Sequence, residues 1–384
     1  MTVTNPYGVK TDSVRLSVVV APPNFVSDPV SVARFDGASY TLTAVTGGST
    51  PQTFQWNRNG VPIPGATAST YTANATLADS GVAFTCVASN SAGDATSAPA
   101  VLTVLPAASG YAASVLGSAP IAYWRLGEST GSIAFDYVGN NNGVYTKATL
   151  GQGGYSVLDS NTAAGFSGAD SFVGQISGSQ ISFAGNTVSF SIECWAKAPE
   201  GLVDESSIIA KGTGSDGTTA NEQFALDIAF GKYRFMTRGN NNTVYYAEAD
   251  AGPDGSWQHV VGVYDQSDPA SPQMRIFVNG RLAGSGPGRP ASNNGIRAST
   301  APVSIGSKRL GNAPVYDGTF NGSIDEVAIY PSALTETEIE AHFGAAYGSS
   351  TPPQISAQPK SGTNYVTLGS TFSVSAFGTV PLSY

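Results

Sequence analysis

The chain has 384 residues, of which 45 are Gly and 23 are Pro, and only 12% are charged, about half the usual share. Its net charge of −9 argues against a nucleic-acid binder, which needs a basic stripe for phosphates. No run of about 18 apolar residues is present, so no segment is expected to insert in a membrane. Cys86 and Cys194 are the only cysteines, and His259 and His342 the only histidines. That leaves little material for a disulfide framework, a zinc site or a Ser-His-Asp triad. Short apolar runs broken by turn residues roughly every 8–12 positions point to antiparallel sandwiches rather than βαβ units.

Residues 1–22 carry V-T-N-P-Y-G and L-S-V-V-V-A-P-P, which repeat A-S-N-S-A-G and V-L-T-V-L-P at the end of the next segment. That next segment, residues 23–106, opens with alternation in Tyr40–Val45, where Tyr40, Leu42 and Ala44 share a parity. Phe54–Gly60 follows as a strand closing on an Asn-Gly hairpin signal, and D-S-G-V-A-F-T-C runs from Asp79 to Cys86. These strings resemble the immunoglobulin superfamily, with Trp56 as the core tryptophan and Cys86 on the sixth strand. The resemblance implies a partner cysteine about twelve residues before the tryptophan and a tyrosine two before the cysteine. Ala44 and Phe84 stand there instead, so Cys86 is expected to be a buried free thiol. Loss of such a bridge removes about 2–5 kcal/mol that the core must supply otherwise.

From residue 108 to 349 the pattern changes. Strand-like runs include F-S-I-E-C-W-A-K (190–197), Q-F-A-L-D-I-A-F (223–230), W-Q-H-V-V-G-V-Y-D (257–265), M-R-I-F-V-N-G (274–280) and F-N-G-S-I-D-E-V-A-I-Y (320–330). Their alternation and turn residues suit a two-sheet antiparallel jelly roll. One short C-terminal helix is expected, with Thr335 and Glu338 as a capping box and Leu334 stapled onto Ile339. Together with Y-W-R-L-G-E (123–128) and D-Y-V-G-N-N-N-G (136–143), these strings resemble the laminin-G-like branch of the concanavalin A-like lectin/glucanase superfamily. Residues 352–384 repeat the start of the immunoglobulin-like segment, so both ends read as truncated repeats whose strands leave unpaired edges. The expected fold class is all-β: an antiparallel jelly-roll sandwich plus immunoglobulin-like β-sandwich repeats.

Glucanases of this superfamily carry paired acids on one sheet face. Here the nearest approach is Asp325-Glu326, which strict alternation sends to opposite faces, and Glu193 stands alone. No catalysis is therefore expected. The resemblance also implies a structural calcium between the early Asp-rich loop and the late I-D-E strand, held by Asp136, Asn140 and Asp325, with loop carbonyls completing the shell. The alternative is that Asp136 caps its turn and Asp325 hydrogen-bonds loop amides. Asp325 shares parity with Val327 and Ile329, and a carboxylate among apolar residues needs a partner. Asn241, Asn242, Tyr245 and Tyr246 pair amides with aromatic faces, the chemistry of a shallow sugar site. A polar hairpin with its tyrosines packed on the sheet is the other reading. Trp124, Trp195 and Trp257 read as core, Cys194 as a buried thiol, and His259 as part of the framework.

The expectation is a non-catalytic recognition or adhesion segment of a large secreted or cell-surface protein, with a glycan or an extracellular protein as partner. The alternatives are an accessory carbohydrate-binding module of a polysaccharide-degrading enzyme, or a purely structural stalk.

Overall fold

The computed structural model describes residues 2–13, 17–156, 158–176, 181–185, 188–202, 205–214, 222–267, 273–287, 295–299, 301–310, 315–347, 354–357 and 375–377. The chain divides into two compact units, Met1–Pro106 and Ala107–Tyr384. Most of the expected closing segment, 352–384, lies outside the described residues.

In the first unit the strands Val32–Phe35, Ala100–Leu105, Ala83–Asn90, Thr53–Arg58 and Val61–Pro62 lie side by side, with Gly93–Thr96 also pairing Ala83–Asn90. Ser39–Thr43 pairs Thr70–Asn74 on the other side of the core. Alternation decides which side chains enter: Tyr40 and Leu42 are buried while Ser39, Thr41 and Thr43 are exposed. Trp56 stands directly opposite Cys86, and both are fully buried. The thiol is free, Ala44 fills the position of the missing partner inside the same core, and Phe84 packs between Tyr40 and Tyr71.

The internal repeats survive as identical register. Thr2–Asn5 pairs Gly8–Thr11 with Asn5 opposite Gly8, as Asn90 stands opposite Gly93. In each hairpin the asparagine Oδ1 accepts from the N–H two residues on, Tyr7 and Ala92, at 2.9 Å. Gln354–Ala357 pairs Ser375–Phe377 with the irregularity seen where Asn24–Ser27 pairs Val45–Gly47. The strands expected to lack partners therefore form local two-stranded pairings.

The second unit is built on a two-sheet antiparallel sandwich, with a further three-stranded sheet of Thr213–Gly214, Lys308–Leu310 and Val315–Asp317. One sheet runs Thr149–Gly153, Thr162–Ser167, Asn321–Tyr330, Phe190–Lys197, Trp257–Asp265, Gln273–Val278 and Arg281–Pro287, with Ala122–Trp124 also on Asn321–Tyr330. The other runs Ile133–Ala134, Gly143–Thr146, Phe172–Ile176, Val303–Ile305, Ser206–Lys211, Phe224–Ala229, Lys232–Arg238 and Val244–Glu248. Strands adjacent in each sheet but distant in sequence are the mark of a jelly roll. Phe190, Ile192, Cys194 and Ala196 of one sheet meet Phe224, Leu226, Ile228 and Phe235 of the other in one core. Along one side, Gly284 and Gly286 bring the last strand onto the Glu248 and Tyr246 carbonyls, where any Cβ would collide with backbone.

The capping-box helix is present as Glu336–Ala345, with both reciprocal hydrogen bonds and with Leu334 and Ile339 buried. We call it α2, because a second helix, α1 (Gly110–Gly117), precedes it. The sequence pattern predicts only one. Ser109 stands at the N-cap but its side chain makes no capping hydrogen bond, and glycine lies at both ends of α1, so the local start signal is weak. Contact with α2 and burial of Tyr111, Ala112 and Val115 form it instead.

Candidate functional site

The acids at 325–326 do not obey alternation. Trp195 stands opposite Asp325 but Glu193 stands opposite Ala328, so one residue faces two: a β-bulge. Glu326 takes φ +54° there. The bulge falls where the strand changes neighbours, from Thr162–Ser167 up to Ile324 to Ala122–Trp124 from Val327 onward. Ile324, Val327 and Ile329 enter the core between the sheets, while Asp325 turns to the outer side, opposite Trp195. The expected shared parity of Asp325 with Val327 and Ile329 fails for this reason. So does the expected divergence of the two acids, because Asn161 Nδ2 donates to both, at 3.0 Å to Asp325 and 3.1 Å to Glu326.

Arg125 balances this pair. Its Nε and Nη2 donate to Glu326 at 2.9 and 2.7 Å, and Nη2 also reaches Asp159 at 2.6 Å. The Tyr123 hydroxyl donates to Glu326, and the Tyr155 N–H donates to Asp325 at 3.2 Å. Two carboxylates, Glu326 and Asp159, share one guanidinium. Burial, then the Glu326 charge, pushes Asp325 well above the usual carboxylate range. Asp325 and Glu326 are both fully buried.

Asp136 has a different set of partners. Its Oδ1 accepts from the N–H groups of Tyr123, Val138 and Gly139, at 2.9–3.0 Å. Its Oδ2 accepts from the N–H and side-chain amide of Asn141, at 2.9 and 2.8 Å. Asn140 sits at φ +64° in that turn and is exposed. These residues do not fit the expected calcium ion. Donors point at the Asp136 lone pairs that an ion would need, and Asp325 is tied separately to Tyr155 and Asn161. Among the described residues no group of three His, Cys, Asp or Glu side chains forms a metal-holding set.

A buried network that sequence reading missed lies between the sheet's outer face and the two helices. Glu193 Oε1 accepts from Tyr111 at 2.8 Å and from His259 Nε2 at 2.6 Å. Its Oε2 accepts from Tyr330 at 2.6 Å and from His342 Nδ1 at 2.9 Å. Burial alone would raise Glu193, but the two histidines outweigh it and hold the carboxyl well below its usual range. Burial alone would lower His342, but Glu193 outweighs it and holds the imidazole above its usual value. Trp195 lies beside this network, stacked on Tyr155 at 4.6 Å. Trp124 and Trp195 are fully buried. Trp257 differs from the core expectation, being half-buried at the start of its strand.

The four residues expected to bind a ligand form no common platform. Successive strand residues face opposite ways: Tyr245 packs against the main core, while Tyr246 is 50% exposed. Asn241 Oδ1 accepts from the Thr243 N–H at 3.2 Å, and Asn242, at φ +69°, accepts from Arg297 at 3.0 Å. The amides thus hold the hairpin together beside one solvent-facing ring.

The chain joins an immunoglobulin-like sandwich and a two-sheet antiparallel jelly roll. The family comparisons give the same answer: residues 24–104 match the immunoglobulin domain, and residues 170–340 match the concanavalin A-like lectin/glucanases superfamily. The human adhesion G-protein coupled receptor D1 is 33% identical over 131 residues, 33% of this chain and 14% of that receptor. The chain therefore spans a small part of the length of that relative. Solved structures with similarity include the binding domain of Paraclostridial Mosquitocidal Protein 1, at 16% identity and TM-score 0.42, covering 56% of this chain and 49% of that one. The botulinum neurotoxin serotype D ligand binding domain in complex with N-acetylneuraminic acid has 15% identity and TM-score 0.42, covering 62% and 53%.

Proposed function

We propose that this chain is a non-catalytic recognition segment of a secreted or cell-surface protein, in which the jelly roll binds a glycan and the immunoglobulin domain acts as a spacer. The observation that carries this reading is the burial of the converging acids within a domain matched to a lectin-type superfamily. Glycoside hydrolysis needs two carboxyl groups that reach the sugar bond, whereas Asp325, Glu326 and Glu193 all lie under other side chains. The adhesion receptor among the relatives agrees with an extracellular setting. In this reading Asp136 ties a turn and Asp325 ties a strand junction, without calcium.

The test is a glycan array probed with the full 384-residue chain in chelator and again in calcium, with product analysis of every oligosaccharide retained. Binding of intact glycan without shortened products is expected in both buffers. Shortened products would overturn the absence of catalysis, and a featureless array would overturn glycan recognition.

A further inference from the structure

A second polar surface lies at the rim of the jelly roll, away from the hairpin of Tyr246. There the paired strand ends at Ser167 and Asn321 face Glu205, Ser206 and the Asp317–Gly318 turn across a cleft of about 480 Å³. That volume is in the range of small-ligand sites. The walls are held by backbone: the Ser207 N–H donates to the Gly318 carbonyl at 2.7 Å, and Lys308 stands opposite Asp317 in a strand pair.

The lining divides into groups already engaged and groups left over. Lys308, 7% exposed, is ion-paired to Glu205, which Arg234 also approaches at 3.5 Å. The side chains of Ser206, Thr319 and Asn321 have no hydrogen-bond partner among the described residues, although Ser206 is only 4% exposed. These hydroxyls and the amide open onto the cleft. There each can donate to or accept from a bound ligand.

The chemistry of the wall selects the ligand. Hydroxyls and one amide both donate and accept, which matches the alternating demands of a sugar ring. Among the described residues Lys308 is the cation in the lining and Glu205 neutralises it, so Asp317 supplies the net negative charge at the exposed edge. An anionic group would meet the Asp317 carboxylate with no unpaired cation among the described lining residues to receive it, which disfavours acidic sugars. We infer that this cleft is a subsite for a neutral saccharide unit, read by Ser206, Thr319 and Asn321. This inference rests on the reading of the jelly roll as a glycan binder.

The experiment measures binding of the full chain to neutral oligosaccharides (mannotriose, cellotetraose, N-acetyllactosamine) and to acidic sialyllactose, by array and by titration. It compares the unmodified chain with Asn321→Ala, Thr319→Val and the hairpin variant Tyr246→Ala. Asn321 is exposed and Thr319 half-buried, so a melt within a few degrees of the unmodified chain confirms that each variant is folded. The expected result is a neutral saccharide bound at least tenfold more weakly by either cleft variant and unchanged in Tyr246→Ala. Neutral binding that is insensitive to the cleft variants would overturn the subsite and leave glycan recognition standing, as would preference for sialyllactose. Binding of none of the probes would overturn both.

Discussion

Replacing Glu193 by Ala is the sharpest perturbation of the jelly roll, because one fully buried carboxylate receives four donors from four separate elements. Tyr111 comes from α1, His342 from α2, and Tyr330 and His259 from the two strands that flank Glu193. Each buried donor left unmatched costs about 1–3 kcal/mol, and these losses are not additive. Removing one partner of a buried ion pair costs about 3–5 kcal/mol, so a loss of about 4 kcal/mol is expected. At about 2–4 °C per kcal/mol for a domain of this size, the jelly-roll transition falls by about 8–16 °C. Calorimetry on the full chain separates this from the immunoglobulin transition, which should not move. The pH dependence gives an independent readout. His342 is held above its usual value by Glu193, so its contribution is complete below the unfolded histidine pKa and disappears as pH rises through the raised folded value. Glu193 is held low, so its contribution is present above the usual glutamate pKa and disappears as pH falls through the depressed one. Glu193→Ala should remove both slopes. A Tm within about 2 °C of the unmodified chain, or retention of the neutral-to-alkaline slope, would refute this account of the helix–sheet clasp.

Other consequences are as direct. Asp136→Ala removes the acceptor of five N–H donors and should cost about 3 kcal/mol in denaturant titrations. Calcium should not raise the melting temperature of the unmodified chain, and a rise that vanished in Asp136→Ala or Asp325→Asn would reverse the assignment of these residues as ties. Gly286→Val drives a side chain into the Tyr246 carbonyl and should cost about 1–3 kcal/mol by overpacking, read as a lower Tm. Burial pushes the Cys86 thiol up to about 11, and burial together with Glu193 raises Cys194 further. A thiol reagent at pH 8 should therefore label neither cysteine in the native chain and both in denaturant.

The fold was legible because its signals are local. Alternation in Tyr40–Thr43, the capping box at Thr335–Glu338 and the glycine- and asparagine-rich turns each act within a few residues. Cys86 and Cys194 could likewise be read as buried thiols from their strands. The sites were less legible, because they depend on long-range events. Strict alternation separates Asp325 from Glu326, and only a bulge, placed where the strand exchanges one neighbour for another, brings them to the same amide. Glu193 meets His342 across 149 positions of sequence, through a helix whose partner, α1, has an N-cap serine that makes no capping hydrogen bond. The cleft is built from five separate strand ends and turns, and no single stretch of sequence carries its pattern. Tyr245 and Tyr246 show the converse: adjacency in sequence suggested one aromatic platform, but the period of two along a strand divides it.

The most direct test of the central claim is the glycan array with product analysis on the full chain. The account predicts that a neutral oligosaccharide is retained intact, in calcium and in chelator alike. An array with no bound glycan, or one that yields shortened products, would contradict it.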